Sequence, residues 1–262
     1  MTPGLSTRLP VAPEVLKDHL AGRLDAMVEL LSDLVRVESP TDVPSSHARA
    51  HEILVDAWAR IGYRNRFIPG QKTSGHRLFA PADRVRGEPV QLMVGHLDTV
   101  WPLGTLDDMP VRREDGLLRG PGVFDMKAGL VMMIFAVEAL QALSIPAPVT
   151  PLAFVNSDEE VGSPESRREV QRLARFASRA LILEPALGAT GKVKTARKGV
   201  GHFTVAIQGQ AAHAGLDPEA GTSAILELSH VIQALHGLTD LERGLTVNVG
   251  VIEGGTRPNV IA

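Results

Sequence analysis

Apolar residues recur every three or four positions over residues 13–37, which predicts an amphipathic helix. A second amphipathic helix is predicted over residues 47–61, with Ser45 or Ser46 as its N-terminal cap because a short hydroxyl side chain can accept from the first helical N–H groups. The same spacing predicts two further helices, over residues 126–143 and 164–177.

Short apolar runs between turn-forming residues predict strands. Continuous runs, typical of buried strands, cover residues 90–94, 152–155 and 180–183. Two shorter extended segments cover residues 66–68 and 77–80. Because helices alternate with apolar strands, we predict an α/β fold, with a mixed sheet that carries helices on both faces.

The pattern changes after about residue 195. Residues 200–208 and 245–252 alternate between apolar and polar positions and predict half-exposed strands on either side of a helix over 221–237. This is typical of an α+β module, so we predict two domains, 1–196 and 197–262. The last five residues have an apolar strand pattern without a polar tail, and we expect the natural sequence to continue past them.

Composition narrows the classes of function. The chain has 262 residues, 44% of them hydrophobic, a formal net charge of -3 and no cysteine. Disulfides and thiolate metal sites are therefore excluded, and nothing favours a nucleic-acid partner. The N-terminus lacks a signal-peptide core and there is no membrane-length apolar run, so we expect a soluble cytoplasmic protein.

Acidic residues follow the predicted strands, where ligands bind in α/β sheets. Strand 90–94 leads into His96 and Asp98, and residues two apart on a strand share a side. His96 can thus ligate a metal while Asp98 accepts a hydrogen bond from the other ring nitrogen. Taken alone, such a pair is more often a loop histidine beside a surface carboxylate.

Further carboxylates follow the other strands and one turn: Asp125, Glu159, Glu160 and Glu184. If all of them meet at one end of the sheet, they repel one another unless cations are bound there. Two metal ions bridged by a carboxylate would fit this set and would suit hydrolytic chemistry. His47 and His51, four apart on a helix, are predicted to be surface residues instead, since no third ligand lies near them in the sequence.

Five motifs in order carry a family resemblance: GHLDTV from residue 95, GPGVFDMKAG from 120, NSDEEVGS from 156, LEPA from 183 and AAHAG from 211. Together they resemble the aminoacylase/carboxypeptidase family of co-catalytic zinc metallopeptidases. That family includes bacterial glutamate carboxypeptidase, aminoacylase and succinyl-diaminopimelate desuccinylase. Trp101 and the segment 197–199 favour the glutamate carboxypeptidase branch.

The resemblance implies roles for the acidic cluster. One zinc would be held by His96, Asp125 and Glu184. Asp125 would bridge to a second zinc that Glu160 also binds. Asp98 would orient His96, Glu159 would be the general base, and the peptide bond between Asp125 and Met126 would be cis. A further histidine ligand of the second zinc is expected beyond residue 262, which leaves that site incomplete in this chain.

The resemblance also assigns residues near the C-terminus. His213 matches a histidine that reaches a partner subunit's active site in a homodimer, and Asn259 matches a position near the substrate carboxylate. The implied reaction is hydrolysis of an amide or peptide bond in an N-acyl amino acid or small peptide with a free carboxylate. The alternatives are an aminoacylase, deacetylase or desuccinylase, or an inactive fragment that only binds metal or dimerises.

Overall fold

The computed structural model describes residues 11–85, 87–188 and 190–262 and divides into two compact units, Met1–Val193 and Lys194–Ala262. The α-helices are α1 (Pro13–Gly22), α2 (Leu24–Val35), α3 (Ala48–Arg60), α4 (Thr105–Asp108), α5 (Ala128–Ala142), α6 (Arg167–Ala174) and α7 (Ala224–His236). The strands are β1 (Tyr63–Ile68), β2 (His76–Pro81), β3 (Val90–His96), β4 (Arg112–Glu114), β5 (Leu117–Arg119), β6 (Thr150–Asn156), β7 (Ala177–Ile182), β8 (Ala212–His213) and β9 (Val260–Ile261).

The first unit is built on a five-stranded mixed sheet with the order β1-β2-β6-β3-β7. Strand β2 is antiparallel to β1 and to β6, whereas β3 is parallel to both β6 and β7. The carboxyl ends of β3, β6 and β7 therefore lie at one edge of the sheet. Strands β4 and β5 form a separate antiparallel ribbon.

Both faces of the sheet are covered, which confirms the predicted α/β fold. Met93, Ala153 and Val155 face a core shared with α2, α3 and α5. Their neighbours Leu92 and Phe154 point the other way, into a smaller core that α6 completes through its buried leucine. This alternation follows from the two-residue period of a strand. Helix α5 is buried on most sides, which fits its nearly uninterrupted apolar sequence.

The predicted helix over 13–37 is two helices. The chain leaves the helical region at Arg23, whose φ and ψ are -101° and 1°. Gly22 precedes it, and glycine costs about 1 kcal/mol relative to alanine inside a helix. The Arg23 guanidinium then pairs with Glu138 of α5 at 2.8 Å, so the break is fixed by a contact with the central helix.

The predicted serine cap of the second helix is also wrong. Residues Pro44–His47 form a 3-10 turn, and α3 begins after it without a side-chain cap. The Ser46 hydroxyl donates to the carbonyl oxygen of Val43 at 2.9 Å, within that turn. The hydroxyl is therefore used to close the turn that precedes the helix.

In the second unit, Ser223 caps α7 by accepting from the Leu226 N–H, and β8 pairs with β9 in antiparallel orientation. The strands predicted over 200–208 and 245–252 are not present: neither segment pairs with any strand of the described chain. Phe203 is 93% exposed and Val251 80% exposed. An alternating pattern is compatible with a strand, but the strand forms only where a neighbour supplies ladder hydrogen bonds. Within the described ranges, no helix is long and apolar enough to cross a membrane.

Candidate metal centre

Four chain segments meet at the carboxyl edge of the first unit's sheet. His96 is the last residue of β3, and Glu159 and Glu160 open the turn that follows β6. Glu184 lies two residues past β7, and Asp125 lies in the turn Val123–Lys127 before α5. The parallel order of these strands thus brings together side chains that are far apart in sequence.

His96 lies at the centre of the group and is 1% exposed. Its Nε2 atom is 3.2 Å from Asp125 Oδ1, 3.5 Å from Glu184 Oε1 and 3.9 Å from Glu159 Oε2. The carboxylates are more open, with side-chain exposures of 56% for Asp125 and 46% for Glu159. A buried imidazole nitrogen therefore faces a solvent-accessible ring of carboxylate oxygens.

Two overlapping groups have the geometry to hold a metal ion: His96 with Glu159 and Glu184, and His96 with Asp125 and Glu160. In each group the ligand atoms lie within 4.8 Å of one another. Imidazole and carboxylate ligands suit zinc and other first-row divalent ions. The two adjacent glutamates, Glu159 and Glu160, fall into different groups.

The negative charges of the carboxylates also favour the binding of a cation at this group. Within residues 11–85, 87–188 and 190–262, no lysine or arginine forms an ion pair with its carboxylates. Burial, together with the charges of Asp125 and Glu159, raises the pKa of Glu184 to about 7. Burial also raises the pKa of Glu160. A divalent ion would relieve this repulsion by favouring the ionised carboxylates.

The neighbouring carboxylates also change the pKa of His96. Burial by itself lowers it, but the hydrogen bond and charge of Asp98 and the charge of Glu184 outweigh burial and raise it to about 9. A proton on His96 thus partly balances the carboxylates. A metal ion would have to displace that proton, because only the neutral ring can ligate.

Asp98 faces the other ring nitrogen of His96, although not as the sequence suggested. The nearest acceptor to Nδ1 is the main-chain oxygen of Asp98 at 2.8 Å, while its carboxylate Oδ1 is 3.5 Å away. The chain turns directly after β3, which brings the carbonyl beneath the ring. Either acceptor fixes the same tautomer, with a proton on Nδ1 and a free Nε2.

The Asp98 carboxylate is fully buried and connects three segments. It accepts from the Thr41 hydroxyl at 2.8 Å and from the N–H groups of Glu159 and Glu160, each at 3.3 Å. Burial by itself raises the pKa of Asp98. The contacts of the carboxylate with His96 and Thr41 lower the pKa by more than burial raises it, so the net shift is downward. Sequence reasoning missed Thr41 because it lies 57 residues from Asp98 and belongs to no metal-binding motif.

The turn that carries Asp125 is fixed from both ends. Gly122 has φ of 68°, a value that favours glycine, and the peptide bond between Asp125 and Met126 is cis, as the family resemblance implied. Buried Lys127 donates to the carbonyl oxygens of Leu34 at 3.1 Å and Val37 at 2.8 Å. The turn is thereby tied to the end of α2.

His213 and Asn259, the two predicted substrate-binding residues, are neighbours in the second unit. His213 pairs with Val260 between β8 and β9, and the next N–H after His213 donates to the Asn259 carbonyl at 3.0 Å. The His213 ring is exposed, and its Nδ1 accepts from the N–H groups of Gly215 and Leu216. These bonds leave Nε2 free to contact another molecule.

The prediction that His47 and His51 are surface residues is wrong. They are 0% and 4% exposed, because the loop that leads into β2 covers this side of α3. Ser74 of that loop contacts both rings, at 2.9 Å from His47 Nδ1 and 3.0 Å from His51 Nε2. The periodicity of α3 could not reveal this cover, since it comes from a distant loop.

Several known proteins are similar to this chain in sequence. Residues 195–262 match the family described as peptidase dimerisation domain. Carboxypeptidase G2 of a Pseudomonas species is 28% identical over 242 residues, which cover 90% of this chain and 57% of that protein. Acetylornithine deacetylase of Myxococcus xanthus is 31% identical over 188 residues, or 67% of this chain and 47% of that protein. The chain spans about half the length of these curated relatives.

Solved structures show the same fold. A tripeptidase from Staphylococcus aureus superposes with a TM-score of 0.67 at 20% identity, covering 90% of this chain and 62% of that one. Aminopeptidase PepT from Bacillus cereus superposes with a TM-score of 0.62 at 25% identity, with the same coverage of both chains. Both likenesses agree with the mixed α/β architecture of the first unit.

Proposed function

Because this chain is related to the M20 metallopeptidases, we propose that it binds divalent metal and serves in the hydrolysis of an amide or peptide bond next to a free carboxylate. The observation that carries the proposal is the buried Nε2 of His96, which lies within 4 Å of carboxylate oxygens from three other segments. A histidine and several carboxylates that, among the described residues, form no ion pair with lysine or arginine are a donor set for a metal.

We propose that this donor set holds two zinc ions. His96, Asp125 and Glu184 would hold one, and Asp125 and Glu160 would hold the second. Observed distances support the first set, because Asp125 Oδ1 and Glu184 Oε1 are the two carboxylate oxygens nearest to His96 Nε2. Bound zinc would supply Lewis-acid chemistry, polarising the scissile carbonyl and making water more acidic.

Glu159 is the proposed general base. Its side chain is 46% exposed, so it can reach both the cluster and a substrate in solvent. Its N–H is held by Asp98, which fixes the backbone from which the side chain extends. In this role its carboxylate takes a proton from the attacking water and gives it to the leaving amine. Asp98 itself would act on His96, by holding the tautomer that leaves Nε2 free.

Two substrate classes follow from the named relatives. Carboxypeptidase G2 is similar over 90% of this chain, which favours cleavage of the amide or peptide bond next to a free C-terminal carboxylate. Acetylornithine deacetylase has a slightly higher sequence identity to this chain over a shorter stretch. This similarity favours the removal of an acetyl group from an amino acid. Both reactions break an amide bond near a carboxylate, so the same metal centre serves either.

A homodimer is the proposed assembly, because the dimerisation-domain match covers the second unit. His213 would reach the active site of a second copy of the chain and stabilise the oxyanion, which its exposed ring permits. Asn259, fixed beside it by the β8–β9 pair, would contact the substrate carboxylate. Size-exclusion chromatography with light scattering would test the assembly, and a monomer at all concentrations would contradict it.

Metal content and turnover test the function together. The purified chain would be loaded with zinc, dialysed, and analysed for zinc per chain, then assayed on N-acyl-glutamates and on N-acetyl amino acids. We expect bound zinc in the wild type and its loss in His96→Ala. His230→Ala, which removes an exposed histidine of α7, is the matched control and should retain the metal.

The outcomes separate the alternatives. Hydrolysis of N-acyl-glutamates supports the carboxypeptidase assignment, and hydrolysis of N-acetyl amino acids alone supports the deacetylase. Bound zinc without turnover of either class would support a chain that only binds metal. Absence of bound zinc in the wild type would contradict the proposed function.

A further inference from the structure

A buried chain of hydrogen bonds runs from the first turn of α3 towards the metal centre. His51 Nε2 is 3.0 Å from Ser74 Oγ, and Ser74 Oγ is 2.9 Å from His47 Nδ1. His47 Nε2 is in turn 2.8 Å from the carbonyl oxygen of Pro40. None of these residues belongs to the motifs that define the metal site.

The direction of each bond follows from the last acceptor. A carbonyl oxygen can only accept, so His47 Nε2 donates to Pro40 and His47 Nδ1 is left as an acceptor. The Ser74 hydroxyl therefore donates to His47 and accepts from His51 Nε2. Burial lowers the pKa of both histidines, that of His51 to about 4, which keeps both rings neutral and this pattern intact near neutral pH.

Pro40 leads directly to Asp98. Residues 39–41 run alongside 97–99, with the Thr99 N–H donating to the Ser39 carbonyl at 2.9 Å and the Thr41 N–H donating to the Thr99 carbonyl at 3.2 Å. At the end of this short ladder, the Thr41 hydroxyl donates to Asp98 Oδ2 at 2.8 Å. The position of Pro40 therefore sets the position of a donor to the carboxylate that faces His96.

The loop that carries Ser74 also contacts the segment that leads to Glu159. Gly75, next to Ser74, accepts at its carbonyl oxygen from the Ser157 hydroxyl at 2.8 Å. Ser157 is fully buried and lies two residues before Glu159. The Ser74–Gly75 corner thus contacts the Asp98 side of the centre through His47 and the Glu159 side through Ser157.

We propose that Ser74 and His47 are positioning residues of the metal centre, which hold the Thr41–Asp98 bond and thereby the orientation of His96. This inference rests on the proposed function, since it assigns a task to residues that support the same site. The buried polar chain ends at the segments that carry the metal-facing side chains, and apolar residues would fill the same volume without fixing Pro40. Partners behind a metal ligand commonly change metal affinity by 10–100-fold when removed.

The test compares zinc affinities of folded variants of the 262-residue chain, measured by competition with a chromophoric chelator. We expect Ser74→Ala to weaken zinc binding by roughly tenfold. Ser178→Ala is the matched control, because it also removes a partly buried hydroxyl that donates a hydrogen bond, in this case to the backbone carbonyl of Val90 at the opposite end of β3. The control should bind zinc within about twofold of the wild type.

A second pair keeps the test informative if Ser74→Ala does not fold. His47→Gln places an amide N–H near the position of Nε2 and can still reach Pro40, whereas His47→Asn is too short. Both substitutions replace the ring by a polar amide, so the loss of the ring's own packing is common to the two variants. We expect the glutamine variant to retain most of the zinc affinity and the asparagine variant to lose roughly tenfold.

The two proposals fail in different ways. If the wild type binds zinc and the folded Ser74 and His47 variants bind it equally well, the positioning role is wrong while the proposed function stands. If the wild type binds no zinc, the proposed function fails and the positioning role fails with it. Equal losses in His47→Gln and His47→Asn would also overturn the positioning role, because they would point to packing alone.

Discussion

Gly129, in the first turn of α5, packs directly against the main-chain carbonyl oxygen of Leu183, the residue before Glu184. A β-carbon at position 129 would overlap that oxygen and would also lie 2.9 Å from Met126 Cε. The missing side chain therefore lets the segment after β7 approach α5. This contact brings Glu184 to its place beside His96.

Gly129→Ala should consequently disturb both stability and metal binding. Overpacking of this kind costs about 1–3 kcal/mol, here by moving the 183–184 segment away from α5. Urea unfolding and zinc titration would measure the two effects. Gly22→Ala serves as the control, because a β-carbon at that position in α1 would meet nothing within 4 Å. Equal stability of both variants would show that the sheet edge adapts at no cost.

Lys127→Met should destabilise the first unit. Its ammonium group is buried and donates to the carbonyl oxygens of Leu34 and Val37, and methionine would leave both acceptors without this donor. We expect a loss of about 3 kcal/mol in the free energy of unfolding, measured by urea denaturation. Lys17→Met, on the exposed side of α1, should change it by less than about 0.5 kcal/mol. Equal losses in both variants would argue against a specific role for the buried ammonium.

Much of the first unit could be predicted because its elements are defined by local patterns. The runs at 90–94 and 152–155 lie within β3 and β6, and the parallel arrangement of these strands follows from the intervening α5. Such a crossover also places the strand ends at one edge. The meeting of His96 with distant carboxylates was therefore foreseeable.

What escaped prediction depends on contacts between residues far apart in sequence. Thr41 reaches Asp98 across 57 residues, and Ser74 covers α3 from a loop that follows β1. The alternation over 200–208 describes side chains, whereas a strand requires a partner for its backbone, which no pattern within one segment can supply. Periodicity thus defines the faces of an element but not what covers them.

Glu159→Gln tests the proposed general base. The amide is close in size and shape to the carboxylate but cannot take a proton, so turnover should fall by at least about 100-fold. Zinc should remain bound, since His96, Asp125 and Glu184 are unchanged. The assay compares zinc content and turnover with those of Glu114→Gln, an exposed substitution in β4. Near-normal turnover of Glu159→Gln would assign the proton transfer to another group.

The pH dependence of stability should carry a contribution from His51. Burial, followed by the charges of Arg77, His47 and His76, lowers its pKa from 6.5 to about 4 in the folded chain. Between these two values the unfolded chain binds a proton that the native chain does not, so stability rises with pH across this window. Below about pH 4 both states are protonated and this contribution to the slope disappears.

His51→Gln should remove this contribution while retaining a donor for Ser74. From pH 7.5 to pH 5 we expect the wild type to lose roughly 2 kcal/mol more stability than the variant, as measured by urea unfolding at both values. Other carboxylates and histidines titrate in both proteins, and the difference between the two cancels them. An identical loss in both would mean that His51 becomes protonated in the folded chain, and hence that the bond from its Nε2 to Ser74 does not require a neutral ring.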